Sequence, residues 1–392
     1  MKNTYFTVGP SQLFPTVKQH LCEAIEQQIG SISHRSAQFE EIFSSAVSRL
    51  KVLLSIPETH TVFFVSSGTE AMERTIQNVV EKESLHFVNG AFSKRFFEIA
   101  IELGKQASKI EVDLGQGLDF HSRGEKQDFR GPRLAPNLAE GISIAEQENF
   151  RFDLSDLPRS IELICFTHNE TSTGVMISAA EIADIKKRYP DKLVAIDTVS
   201  SAPYGEIDYN NADIVFFSIQ KLFGLPSGLG VMIVSPQALE KASYLQKKGV
   251  VIGSYHNFLS LKTWADKHQT AETPSVLHLY LLNAILGDML VTGIEHIRKQ
   301  TDEKAALLYD FFDHHNTWST FVKDKAVRSP TVIVAHLGDD QKKVKAYLKQ
   351  HNMLVGPGYG LHKDSQIRIA NFPALTKKDI KLLIKRLEEF TK

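Results

Sequence analysis

Apolar residues recur along this chain at two alternating periods. Between residues 37 and 54, Phe39, Phe43, Ala46, Leu50 and Leu53 fall on one face of a helix, with Ser36 before it as an N-cap. The next segment, HTVFFVSSGTEAMERTIQNVV, opens as a short apolar run and breaks at a Ser-Ser-Gly turn. It resumes at helical spacing, Met72, Ile76, Val79 and Val80 forming the stripe. Further strands are predicted at SLHFV (84–88), ASKIEV (107–112), ELICFT (162–167) and KLVAID (192–197), with helical segments such as Ala179 to Arg188 between several of them. Such alternation predicts an α/β fold around a mostly parallel sheet. One exception follows from loop length. Only nine residues, 220 to 228, separate the run ending at Ile219 from the run starting at Leu229. A parallel return needs roughly a dozen or more, so LGVMIVS is expected antiparallel to DIVFFSI if the two are neighbours.

The rhythm breaks twice. Residues 115–150 mix Gly, Pro and both charge signs and read as a long surface excursion. From about Thr292 a long helix, GIEHIRKQTDEKAALLYDFFDHH, leads into TVIVAHL, a helix at 339–351, SQIRIANF and a final helix from Lys377 capped by Thr376 and Asp379. At 392 residues two domains are expected, a large one at 15–292 and a smaller α+β one at 293–392 joined by 1–14.

Composition narrows the function. A net charge of −1 gives no reason to expect nucleic acid or an anionic membrane as partner. The start of the chain has no apolar h-region, and the most apolar stretch, Leu277 to Ile294, carries His278, Asn283 and Asp288, as a core helix would. Two cysteines without a CxxC argue against a disulfide framework or a zinc site. A cytoplasmic protein without a metal is expected.

Candidate chemistry centres on Lys221, at the exit of ADIVFFSIQK, where an ordinary solvated lysine would be the plain reading. Asp197 ends the preceding strand, and ligand sites in such sheets lie at the carboxyl ends of strands. A carboxylate and an amine delivered into one crevice are what pyridoxal phosphate needs: the lysine holds its aldehyde as an imine, and the acid keeps its ring nitrogen protonated. VSSGTEAME offers a phosphate site at a strand-to-helix turn, although Ser67 and Glu70 also read as a plain capping box. HNETSTG, again after an apolar strand, brings Thr171 within possible reach of the cofactor hydroxyl.

These stretches, with GPSQLFP, SHRSAQF, AIDTVSS, AETPS and RIANFPAL, run in family order from residue 9 to 375. Together they resemble the class V, fold-type I pyridoxal-phosphate aminotransferases, and within them the phosphoserine branch. The resemblance implies a large domain with a mostly parallel seven-stranded sheet, a smaller C-terminal domain and a homodimer with shared active sites. It implies that Lys221 forms the Schiff base and Asp197 partners the pyridinium. Gly68, Thr69, Ser200 and Gln220 would lie about the cofactor, with Thr171 near its hydroxyl and Thr273 at the phosphate in the other subunit. Arg368 would bind the substrate carboxylate; His34 and Arg35 would meet a substrate phosphate, as would His362. The implied reaction moves an amino group from glutamate to 3-phosphohydroxypyruvate in serine biosynthesis.

Some positions depart from that pattern. Phe92 stands where a tryptophan usually stacks on the cofactor, Glu272 replaces an Asn, and His362-Lys363 stands for a His-Arg pair. The turn SSGTEAM is closer to the alanine–glyoxylate group. An alanine–glyoxylate or serine–pyruvate type transaminase on unphosphorylated acids is therefore the alternative, and a non-catalytic pyridoxal-phosphate regulator a more distant one.

Overall fold

The computed structural model describes residues 3–117 and 157–391. The larger sheet has seven strands in the spatial order Thr61–Val65, Gly230–Val234, Ile214–Ser218, Leu193–Asp197, Ile161–Thr167, Glu83–Val88 and Gln106–Glu111. From Ile214–Ser218 to Gln106–Glu111 all neighbours pair parallel. Gly230–Val234 runs antiparallel to Ile214–Ser218, as its short connection requires, and also to Thr61–Val65. Thr61–Val65 consequently points the same way as the five parallel strands. Six carboxyl ends thus share one edge of the sheet.

Both faces of this sheet are covered, which is why its central strands, Leu193–Asp197, Ile214–Ser218 and Gly230–Val234, are apolar at nearly every position. Val215 and Phe217 enter one core with Phe39 and Phe43 of the helix Ala37–Leu54 and Leu279 and Ile285 of the helix Val276–Thr292. Ile214 and Phe216 enter the opposite core with Met72, Ile76, Phe96 and Leu245. The apolar stretch near 277–294 is thus a buried helix, and among the described residues no single helix is long and apolar enough to cross a membrane. Ser36 caps its helix by accepting from Phe39 N–H, and Thr376 and Asp379 form the expected reciprocal box. The helix expected at 339–351 spans Gln341–Gln350 after a 3₁₀ turn. The excursion expected at 115–150 lies, from residue 118 on, outside the described residues.

A second sheet has the order Thr4–Phe6, Met353–Pro357, Gln366–Ala370, Val332–His336, Ser319–Thr320. Its core joins Phe6, Phe312, Trp318, Ile369 and Leu383, and it also takes in Leu222, the neighbour of Lys221. Residues from both ends of the chain therefore brace the same loop. Ser11 N–H donates to the Gln220 carbonyl, Ser11 Oγ to the Lys221 carbonyl, and Phe14 N–H to Gly224.

Gly224 has a φ of 60°, and a Cβ there would lie 2.7 Å from Phe14 N. Gly224→Ala should cost at least about 1–2 kcal/mol from the left-handed backbone alone, with the contact in addition. Thermal unfolding of the variant checks this; an unchanged Tm would mean that the N-terminal segment does not dock so closely on the Lys221 loop.

Candidate active site

Asp197 ends its strand with 4% exposure, and its Oδ1 accepts the Val199 N–H at 2.8 Å. Lys221 follows the strand Ile214–Ser218 and is 7% exposed. Its Nζ donates to Thr171 Oγ1 at 2.9 Å and stands 5.1 Å from the centre of the Phe92 ring. Its stem runs past Gly9, where a Cβ would sit 3.0 Å from Lys221 Cε. The described contacts include no ion pair between Lys221 and Asp197. Burial, only partly offset by attraction from Asp197 and Glu170, lowers the lysine to about 8. Burial likewise raises Asp197 to about 7. The protein holds an amine close to neutrality beside an acid that water cannot reach.

Glu170 was not singled out by the sequence, and it organises the other wall. It is 0% exposed and its carboxylate accepts from five donors: Phe92 N–H (3.1 Å), Ser93 N–H (2.9 Å), Ser93 Oγ (3.0 Å), Ser172 N–H (3.0 Å) and Ser172 Oγ (2.7 Å). A carboxylate thus caps the helix Ala91–Glu102, favourable both for its free N–H groups and for its dipole. The ring of Phe92 sits in the first turn of that helix. No side chain fits at Gly90, where a Cβ would lie 2.3 Å from Glu170 Cγ. The available signal was one acid in an otherwise uncharged turn between apolar runs, since a buried carboxylate must be paired.

Arg368 lies between Ile367 and Ile369, both fully buried, so strand alternation turns it to the site side. It is 9% exposed. Its Nε donates to the Pro357 carbonyl at 2.8 Å, and one Nη donates to the Thr171 carbonyl at 3.3 Å. Among the described residues it has no ion pair. Tyr359, 46% exposed, places its ring 5.4 Å from the guanidinium carbon and 5.8 Å from Phe92. Nothing periodic marks this tyrosine in the sequence. Lys221, Asp197, Thr171, Phe92 and Arg368 thus form one cluster.

The other expected residues are placed differently. Gly68 N–H donates to Ser218 Oγ at 2.7 Å and Glu70 N–H to Ser67 Oγ at 3.1 Å. Thr69 N–H is left as a first-turn donor without an acceptor among the described residues. Glu70 does not close a box on Ser67; its carboxylate accepts from Ser66 N–H and Oγ. Ser200 is engaged within the protein, its hydroxyl donating to the Asn169 carbonyl at 2.7 Å and accepting from Asn169 Nδ2. The Gln220 carbonyl accepts from Ser11. His362 packs its ring on Phe321, 5.1 Å between centres. Arg35, exposed, donates to Gln269 and to the Thr270 carbonyl and lies 3.7 Å over the Trp264 ring. His34 feels the charges of Arg35 and Glu272, so His34, Arg35 and the exposed Thr273 share a surface patch outside the Lys221 cluster.

Residues 142–380 match the family Aminotransferase class-V. The chain belongs to the class-V aminotransferases. A phosphoserine aminotransferase from Rhodococcus opacus (strain B4) is 29% identical over 390 residues, 98% of this chain and 94% of that protein. The crystal structure of a phosphoserine aminotransferase from Cytophaga hutchinsonii superposes with a TM-score of 0.88 at 42% identity, covering 99% of this chain and 98% of the other. An alanine–glyoxylate aminotransferase from Nostoc shares the fold, with a TM-score of 0.80, 21% identity, and 100% and 96% coverage. This aminotransferase is accordingly a pyridoxal-phosphate-dependent transaminase of small amino and oxo acids with a fold-type I architecture.

Two outcomes are expected from this geometry. Glu170→Gln would put an NH₂ among five donors and should cost about 1–3 kcal/mol; an unchanged denaturation midpoint would show the carboxylate is not needed. In the unliganded aminotransferase, Lys221 has released its proton above about pH 8 while the unfolded chain keeps it to about 10.5. At this site the unfolded state binds more protons in that window, so the contribution of Lys221 to stability should rise with pH across it. In Lys221→Met that contribution should be absent, so stability should rise less steeply with pH than in the unmodified protein, where Lys304, also lowered to about 8 by burial, adds a rise of its own; calorimetry of both forms against pH checks the difference.

Proposed function

We propose that the protein is a phosphoserine:2-oxoglutarate aminotransferase, working as a cytoplasmic homodimer in serine biosynthesis. Glutamate and 3-phosphohydroxypyruvate would become 2-oxoglutarate and phosphoserine. The observation that carries an amino-acid substrate is Arg368, a buried guanidinium without an acidic partner among the described residues, tied through Thr171 to the Lys221 amine. A desolvated arginine of this kind suits a carboxylate held by its remaining N–H groups. The phosphate is supported by His34-Arg35 in SHRSAQF and by the phosphoserine aminotransferases among the relatives.

The residues fit the cofactor. Lys221 offers a desolvated amine for the aldehyde, Asp197 a buried acid for the ring nitrogen, Phe92 a ring face, Thr171 a hydroxyl, and Thr69 a free N–H at a helix start for the phosphate. When bound, pyridoxal phosphate supplies an aldehyde that captures the substrate amine and a ring that accepts the electrons of the Cα–H bond. Lys221 Nζ, near neutrality, takes the Cα proton and returns one, serving as both base and acid. Asp197, which burial disfavours as an anion, regains its charge opposite a protonated ring nitrogen. Phe92 would keep water from the ring side, and Tyr359 stands in cation–π contact with the Arg368 guanidinium. His34, Arg35 and Thr273 would serve the neighbouring subunit's site, with His362 close to the substrate phosphate. Residues 15–292 would form the cofactor-binding unit, and 293–392 with 1–14 the smaller one.

A second reading, an alanine–glyoxylate or serine–pyruvate type transaminase, draws on the SSGTEAM turn and on Arg35, whose guanidinium is engaged by its own chain. Half-reactions with glutamate, phosphoserine, serine and alanine, followed by the cofactor's visible spectrum, separate the two. Phosphoserine should react far better than serine; comparable rates would favour the second reading. Arg35→Ala should lower kcat/KM for phosphoserine by roughly tenfold or more, the scale of one charge-assisted hydrogen bond, and leave serine nearly unchanged. Mixing exchanged Lys221→Ala and Arg35→Ala chains tests sharing: if Arg35 serves the other subunit, one site of each mixed dimer is intact and activity returns. No recovery, with exchange verified, would rule the shared site out.

A further inference from the structure

His256 lies outside every role assigned so far. It is buried, its Nδ1 meets Glu70 Oε1, and its Nε2 meets Glu272 Oε2 at 2.9 Å. A neutral imidazole donates from one nitrogen and accepts at the other, while an ionised carboxylate only accepts. Two carboxylates on one ring therefore require the imidazolium, with both nitrogens donating. The other Glu70 oxygen accepts from Ser66 N–H (2.7 Å) and Ser66 Oγ (2.6 Å), fixing the turn that ends in Thr69. On the far side, Thr270 Oγ1 donates to the Glu272 carbonyl, and the Thr270 carbonyl accepts from Arg35. An unbroken polar chain runs from the 66–70 turn through one ring to the segment carrying Thr273.

We infer that His256 is a positioning residue for the anion-binding turn, holding Glu70 and Glu272 as an imidazolium so that residues 66–70 keep their shape and two carboxylates do not repel an incoming phosphate. This rests on the reading that the cofactor phosphate is bound at that turn. Without the cation, two negative charges would stand unneutralised beside the phosphate. The groups facing His256 are Glu70 from the helix Gly68–Val79 and Glu272 from the 270–273 segment, with Tyr255 against its ring at 4.1 Å; the charge of Glu272 also reaches His34. Burial disfavours the cation, but the two carboxylates outweigh it and raise His256 to about 9, while Glu70 falls to about 2. With the folded value raised, the cationic clamp is complete below the ordinary value of 6.5 and is lost as pH rises through about 9.

The test titrates the apoprotein with pyridoxal phosphate and, separately, with pyridoxal, following absorbance, with inorganic phosphate as competitor. The ratio of the two affinities cancels the titration of Lys221, which both ligands share. His256→Gln should weaken pyridoxal phosphate by roughly ten- to hundredfold, the scale of a lost charged hydrogen bond, and leave pyridoxal nearly unchanged; an unchanged ratio overturns the inference. If His256→Gln does not fold, Glu272→Gln decides. With one carboxylate gone, the ratio should begin to fall at a clearly lower pH than in the unmodified protein, and a coincident profile overturns the inference. Should the unmodified protein itself not prefer pyridoxal phosphate to pyridoxal, the phosphate-site reading fails instead.

Discussion

Keeping one amine out of water without an ion pair is the constraint on which this site depends. An ammonium at 7% exposure is disfavoured unless its surroundings pair it or let it lose the proton. Here Thr171 gives Lys221 one acceptor, and Asp197 and Glu170 attract it only at a distance. The cost is met by packing from elsewhere: Leu222 is anchored in the core of the second sheet, and Ser11 and Gly9 close the loop from the N-terminal side. A lysine in such a place is poised for an aldehyde, because its neutral form is the nucleophile.

Glu170 links that lysine wall to the ring of Phe92. By taking two first-turn N–H groups of the helix Ala91–Glu102, those of Phe92 and Ser93, and both donors of Ser172, it sets the distance between the helix and the turn that carries Thr171. Arg368 then bonds the Thr171 carbonyl, so an element of the second sheet is referenced to the same turn. Phe92, Lys221 and Arg368, from three distant parts of the chain, are each tied by a hydrogen bond to Glu170 or Thr171 of this one turn.

Much of this was legible in the sequence because it rests on local rules. Period-2 and period-3.6 patterns marked the strands and helices, the nine-residue connection required the antiparallel strand, and Asp197 and Lys221 lay at strand ends where sheets of this kind place ligands. Glu170, Tyr359 and His256 were not legible, since each draws its meaning from partners remote in sequence. Glu170 lies 77 residues from the Ser93 donor, and His256 lies 186 from Glu70. The acceptor of the Gly68 N–H was not legible for the same reason: Ser218 is 150 residues away.

Exposure explains why the chemistry is easier to read than the substrate. Lys221, Asp197, Thr171 and Arg368 are all buried within one chain, so their protonation and orientation are fixed by groups that can be named. Arg35 and Thr273 are exposed, and His34 is half-buried. Arg35 satisfies part of its guanidinium on Gln269, Thr270 and Trp264 and still has donors to offer. In water such an arginine binds phosphate weakly, and its strength as a recognition element appears only when a second surface excludes solvent from it. The buried lysine, acid and arginine therefore lie in the interior of a single fold, whereas on the proposed reading discrimination between phosphorylated and plain substrates would depend on what covers the rim. On the proposed reading this is also where the departures from the phosphoserine pattern fall, at Glu272 and His362-Lys363, away from the buried lysine.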